Sequence, residues 1–242
     1  MSHHRSSAAV SILFTVTTVA CAPEPAPPDV PVPRTYNQAI TAATARQSDL
    51  AESLREAVTA GDSAAVIERA GAALAAIVAD SLVPFWHGTP WTFGGATTVP
   101  GKGSIACGYF VSTLLRDAGL QVERVAMAQQ ASEYIIRSLV SPRYIRRFSD
   151  APLSRVLSTV EEMGTGLYVV GLDVHTGFLL HDSSDTWFIH ANYLPPRRVV
   201  REVMMASDAL AYSRYRVLGY LSGDPDLLEK WLRKTPIATV RR

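Results

Sequence analysis

V-H-T-G-F-L-L-H-D-S-S-D-T-W-F-I-H-A-N-Y, residues 174 to 193, decides the fold. Two short apolar or alternating runs flank four turn formers, Asp182 to Asp185, which is the pattern of an antiparallel hairpin. A four-residue loop sets the register: His181 faces Thr186, Gly177 faces His190 and His175 faces Asn192. Opposed residues share a sheet face, as do alternate residues along a strand. His175, Gly177, His190 and Asn192 therefore form one surface, with His181 on the same face at the turn end. A loop one residue longer or shorter would destroy this agreement. G-L-Y-V-V-G-L-D, residues 166 to 173, adds a third strand, so an antiparallel meander is expected.

Upstream, G-K-G-S-I-A-C-G-Y-F-V-S-T-L-L-R-D-A-G, residues 101 to 119, carries a glycine-rich loop into a helix. Phe110, Val111, Leu114 and Leu115 recur at helical spacing, and Gly119 ends the run. Cys107 then lies in the first turn, where free N–H groups and the positive dipole end are expected to lower a thiol pKa. A cysteine at a helix start, followed by a strand histidine and a second polar residue on the neighbouring strand, is a papain-type constellation. The thiolate attacks a carbonyl, the imidazole shuttles the proton, and the third group orients the imidazole. The bland alternative is a small buried hydrophobe.

W-T-F-G-G at 91 to 95, P-G-K-G-S-I-A-C-G-Y at 100 to 109, H-T-G-F-L-L at 175 to 180 and W-F-I-H-A-N at 187 to 192 resemble the NlpC-type family of bacterial cell-wall cysteine peptidases. The resemblance spans about residues 86 to 193. It implies an α+β, papain-like domain whose nucleophile helix packs on an antiparallel sheet, preceded here by a helical extension. It implies Cys107 as nucleophile, His175 as base and His190 as third member of the triad. Trp91, Phe93, Gly108 and Tyr109 fall in the implied substrate site. The implied substrate is a peptidoglycan stem peptide, and the chemistry needs no metal or cofactor. The family usually has D-C-S-G around its cysteine and a Tyr before the paired glycines, where this chain has Ala106, Gly108, Tyr109 and Phe93. The bond cut, and peptidase as against amidase chemistry, stay open. Cys107 N–H supplies one oxyanion donor, with no second donor evident in the sequence.

The amino end has an apolar run from Ala8 to Ala20, too short to span a bilayer comfortably, and then Cys21. T-V-A-C at 18 to 21 resembles the lipobox of bacterial lipoproteins, with Thr18 where an aliphatic residue is usual. That resemblance implies lipidation of Cys21 and, from Ala22, outer-membrane retention; ordinary secretion is the alternative. Either way export to the periplasm or cell envelope is expected. Residues 22 to 34 are proline-rich and read as an extended tether. From 35 to 82 two antiparallel helices are expected, with a break at Ala60-Gly61-Asp62 and Asp62 as a cap. The hydrolase domain is read as 83 to 242, its Trp86, Trp91 and Phe93 forming an aromatic wall. Further helices are expected at about 127 to 139, 150 to 163 and in D-P-D-L-L-E-K-W-L-R-K near the end.

The chain has 242 residues, 23 Lys and Arg against 22 Asp and Glu, so one main core is expected and no global field draws nucleic acid. The histidines show no metal-ligand spacing. His87 reads as a solvated loop residue rather than a cleft residue. S-P-R-Y-I-R-R at 141 to 147 and P-P-R-R-V-V-R-E at 195 to 202 read as solvated basic faces, with reception of stem-peptide carboxylates as the second reading. Without lipidation, Cys21 and Cys107 could pair in a disulfide. Two rival functions stand beside the hydrolase: an inactive envelope module that binds stem peptides, and a papain-like amidase or acyltransferase acting on lipid or small amides.

Overall fold

Thr35 accepts from the N–H of Gln38 at 3.3 Å while the Gln38 side chain accepts from Thr35 N–H at 3.1 Å, a reciprocal cap that starts α1 (Tyr36–Glu56). The structure, a computed structural model, describes Pro33 and residues 35 to 241. The export segment with Cys21, the tether apart from Pro33, and any Cys21–Cys107 pairing lie outside the described residues. The second helix, α2 (Ala60–Ala76), begins earlier than expected. Thr59 is its cap, and Asp62 sits three residues on, accepting from Thr59 N–H at 3.1 Å. The expected break at residues 60 to 62 is therefore the first turn of a helix, because a Thr-x-x-Asp pair satisfies two of the orphan N–H groups there. A π turn, Ile77–Leu82, follows and passes directly into α3 (Val83–Trp86).

The helix that begins at Cys107 is α4 (Cys107–Asp117), ended by Gly119 at φ 99°. It leads to β1 (Gln121–Val122), α5 (Arg124–Ala128) and α6 (Ser132–Leu139), so the single helix expected over 127 to 139 is two. Then come β2 (Ile145–Ser149), α7 (Leu153–Met163), β3 (Gly166–Leu172), β4 (Thr176–His181), β5 (Thr186–Ala191) and β6 (Val199–Val203). The chain closes through α8 (Asp208–Ala211), β7 (Tyr215–Tyr220), α9 (Pro225–Leu232) and β8 (Pro236–Ile237). This is a mixed α+β protein around an antiparallel sheet.

Six strands run in the order β2-β7-β3-β4-β5-β6, every neighbouring pair antiparallel. The β4–β5 register is the one expected from the loop length, with His181 opposite Thr186 and Phe178 opposite Ile189. Both basic runs turn out to hold the edge strands, β2 and β6, where arginines discourage pairing with another chain. Strand alternation gives the sheet two apolar faces. Leu167, Val169, Phe178, Leu180 and Ile189 pack under the helices. Tyr168, Val170, Leu179 and Phe188 pack against Val156 and Val160 of α7 on the other side.

The amino-terminal helices share the first of these cores. Ala39, Leu74 and Trp86 belong to the same cluster as Phe110 and Phe178. Buried Gln47 of α1 ties the layer together, its Nε2 donating to the Trp231 carbonyl at 2.6 Å and the Gly119 carbonyl at 3.3 Å. The expected aromatic wall does not form. Trp86 is wholly buried, edge-on to Tyr36 and Phe110, whereas Phe93 is 90% exposed. The reason is that residues 86 to 91 are held as an extra rung on the sheet: Gly88 N–H bonds Val199 O and Trp91 N–H bonds Arg197 O. That fixes Trp86 inward and leaves the turn from Thr92 to Gly95 outside.

Candidate active site

The first-turn N–H groups of α4 need partners, and no side chain caps this helix. Cys107 stands at that end. Its α4 carries Phe110 onto Phe178 of β4, ring centroids 6.2 Å apart, so the helix start is held over the end of the sheet where β4 begins. His175 precedes β4 by one residue and closes the β3–β4 turn, its carbonyl accepting from Leu172 N–H at 2.8 Å. Cys107 and His175 thus line one cleft of about 210 Å³. Larger hollows, such as the alanine-lined groove of about 450 Å³ between α1 and α2, hold no cysteine among the described residues.

Behind His175 lies a chain of polar groups. His175 Nε2 is 2.8 Å from His190 Nδ1, and His190 Nε2 is 3.1 Å from Glu202 Oε1. His175 and His190 are buried, and the His190 ring stacks on Phe188 with centroids 3.9 Å apart and planes 17° from parallel. His175 Nδ1 makes no hydrogen bond among the described residues, and none joins His175 to Cys107. Nδ1 is therefore the ring nitrogen left for the cleft.

Burial decides the charges here. It pushes the Cys107 thiol up, and the N–H groups of Thr176, Gly108 and Cys107 itself pull the other way without overcoming it. The expectation of a lowered thiol pKa is overturned for that reason: the helix-start amides act as anticipated, but the sulfur is too desolvated for them to win. Burial, and then the neighbouring His190, holds His175 well below the usual histidine range. Burial also lowers His190, against the opposing pull of Glu202. Burial raises Glu202, but hydrogen bonds from His190 and Ser207 outweigh it and keep this carboxylate below its usual range. At neutral pH the resting site is a thiol beside two neutral imidazoles, backed by one carboxylate.

Of the residues that the resemblance places in a substrate site, Gly108 lines the cleft and is buried. A Cβ there would come 2.4 Å from the Ala128 carbonyl oxygen, so only glycine lets α4 meet the end of α5. Gly108→Ala is expected to displace the helix start, lowering stability by about 1–3 kcal/mol and removing most activity. Thermal melting beside a rate assay checks it. Tyr109 turns from the cleft, its ring under the Arg124 guanidinium at 4.7 Å. Trp91 reaches the site through an intermediary: it packs on Tyr193 at 6.3 Å, and Tyr193 on His175 at 5.0 Å. Phe93 does not line the cleft. His87 is exposed and elsewhere, and His181 bonds Thr186 Oγ1 at 2.8 Å at the turn end.

Sequence reasoning missed Glu202 and Tyr193. Both had a signal: Tyr193 follows Asn192 just beyond β5, and the three β-branched residues Val199, Val200 and Val203 favour a strand over a charge run. No family model, curated protein or solved structure matches the chain.

Proposed function

We propose that the protein is a cysteine hydrolase that cleaves a peptide or amide bond through Cys107, His175 and His190, in a papain-like arrangement of the NlpC type. The observation that carries this reading is the cleft itself. A helix-start thiol and a histidine with one uncommitted ring nitrogen open on the same space, and a second histidine holds the first.

In the proposed reaction the Cys107 sulfur attacks the carbonyl carbon while His175 Nδ1 takes the thiol proton. The carbonyl oxygen becomes an oxyanion beside the Cys107 N–H. The imidazolium then gives its proton to the departing amine as the C–N bond breaks, leaving a thioester. Water, deprotonated by the same nitrogen, attacks the thioester, and the acid leaves with the thiol restored. Because both partners rest neutral, proton transfer accompanies attack rather than preceding it.

The lining suggests the substrate class. A cleft of about 210 Å³, walled by Gln130, Ile135, Leu172 and Val174 beside the smaller Gly108 and Ala131, suits small side chains. Asp173 also lines the cleft, but its carboxylate is occupied by Ser213 Oγ and the N–H groups of Arg214 and Tyr215. No Lys or Arg is among the lining residues, and neither basic run reaches it. An alanine-rich segment of a peptidoglycan stem peptide fits such a space. An exported lipoprotein anchored through Cys21 would meet that polymer in the envelope. Mass analysis of purified peptidoglycan treated with the wild type and with Cys107→Ala tests the reading. New fragments from the wild type alone support it. Identical digests overturn it, and tight binding without cleavage by either protein would favour the inactive-module alternative.

A further inference from the structure

Glu202 lies in a run that looks basic in sequence, yet β6 places it on the imidazole face of the sheet. Glu202 pairs with Phe188 across β5–β6, and His190 pairs with Val200. Alternate residues share a face, so Glu202 sits diagonally from His190 and on its side of the sheet. The reach is short, 3.1 Å from Oε1 to His190 Nε2.

Two bonds through one ring constrain where the protons are. A carboxylate only accepts, so His190 Nε2 must carry hydrogen. A neutral imidazole has one donor and one acceptor, so His190 Nδ1 accepts from His175 Nε2–H. His175 Nδ1 is then the bare nitrogen, which is the one a thiol needs as base. Reversing the first proton reverses the chain. With Nδ1–H on His190, His175 would have to accept through Nε2 and would present an N–H to Cys107.

We propose that Glu202 is a positioning residue of this site: its carboxylate selects the tautomer of His190 and, through it, the tautomer of His175 that can act as a base. This rests on the reading of Cys107 and His175 as nucleophile and base. Glu202 touches neither the cleft nor the thiol, and its side chain is 31% exposed, so its removal strands no deeply buried charge.

The test uses the full chain with 15N-labelled histidines and iodoacetamide as the thiol probe. In the wild type both His175 and His190 are expected to show hydrogen on Nε2 and a bare Nδ1. Glu202→Met, similar in size and without an acceptor, is expected to mix the tautomers and slow Cys107 alkylation at neutral pH by about 10- to 100-fold, the range seen when the carboxylate behind a ligating histidine is lost. Glu202→Gln should restore both, since an amide oxygen also accepts. Hydrogen on Nδ1 of His190 in the wild type would overturn the proposal even if Glu202→Met fails to fold. So would unchanged tautomers and alkylation in a folded Glu202→Met. His175→Ala separates the layers: if it slows alkylation while Glu202→Met does not, only the role of Glu202 falls, and if His175→Ala is silent the nucleophile-base reading falls with it.

Discussion

Cys107→Ala is expected to abolish turnover, by on the order of a million-fold as for removal of a covalent nucleophile, while the protein melts close to the wild-type temperature. No other free thiol occurs among the described residues. The replacement keeps the β-carbon and removes only the sulfur, which makes no side-chain hydrogen bond with another residue's side chain. Alanine also favours the helix at that position. Loss of activity with the fold intact therefore isolates the chemistry from the packing. Near-wild-type hydrolysis by the variant would remove the thiol from the mechanism.

The second large effect separates the two histidines. His175→Ala or His175→Asn is expected to lose about as much rate as Cys107→Ala, because a nucleophile and its base act as one unit. An amide cannot take and return a proton near neutrality. In the proposed site His190 has a different duty: its Nδ1 lies 2.8 Å from His175 Nε2 and is assigned the acceptor role. His190→Asn or His190→Gln keeps an acceptor and should keep measurable activity, while His190→Ala should cost a few kcal/mol, on the order of one preorganised hydrogen bond in a dry site. His181, which bonds Thr186 at the far end of the hairpin, is the internal control. A damaging His181→Ala beside a silent His190→Ala would mean that the relay runs through other residues.

The hairpin was the legible part of this protein, because the four residues from Asp182 to Asp185 admit one register and that register puts His175 and His190 on one face. The helix behind Cys107 was legible for a similar reason, its apolar period ending on a glycine. What escaped was set by neighbours distant in sequence. Glu202 looked like the end of a basic run because the strand that aims it is short and lies at the sheet edge. Trp86 and Phe93, seven residues apart, part ways because backbone bonds to β6 hold the chain between them. The cap of α2 is Thr59 rather than Asp62, a choice that local composition leaves open, since both residues bond to one another. The sign of the thiol shift was hidden most deeply. Helix position can be read from periodicity, but how far the sulfur is desolvated depends on the elements that the fold brings around it from elsewhere in the chain.

That sign also gives the most direct test of the central claim, that His175 serves Cys107 as a general base. A resting thiol beside a neutral imidazole should react with iodoacetamide along two limbs as pH rises. The first appears as His175 loses its proton, below the usual histidine range, and levels off. The second appears only where the thiol itself ionises, above the usual cysteine range. The measurement is the alkylation rate of Cys107 against pH in the wild type and in His175→Ala. The account predicts that the variant loses the lower limb and keeps the upper one; superimposable profiles for the two proteins would contradict it.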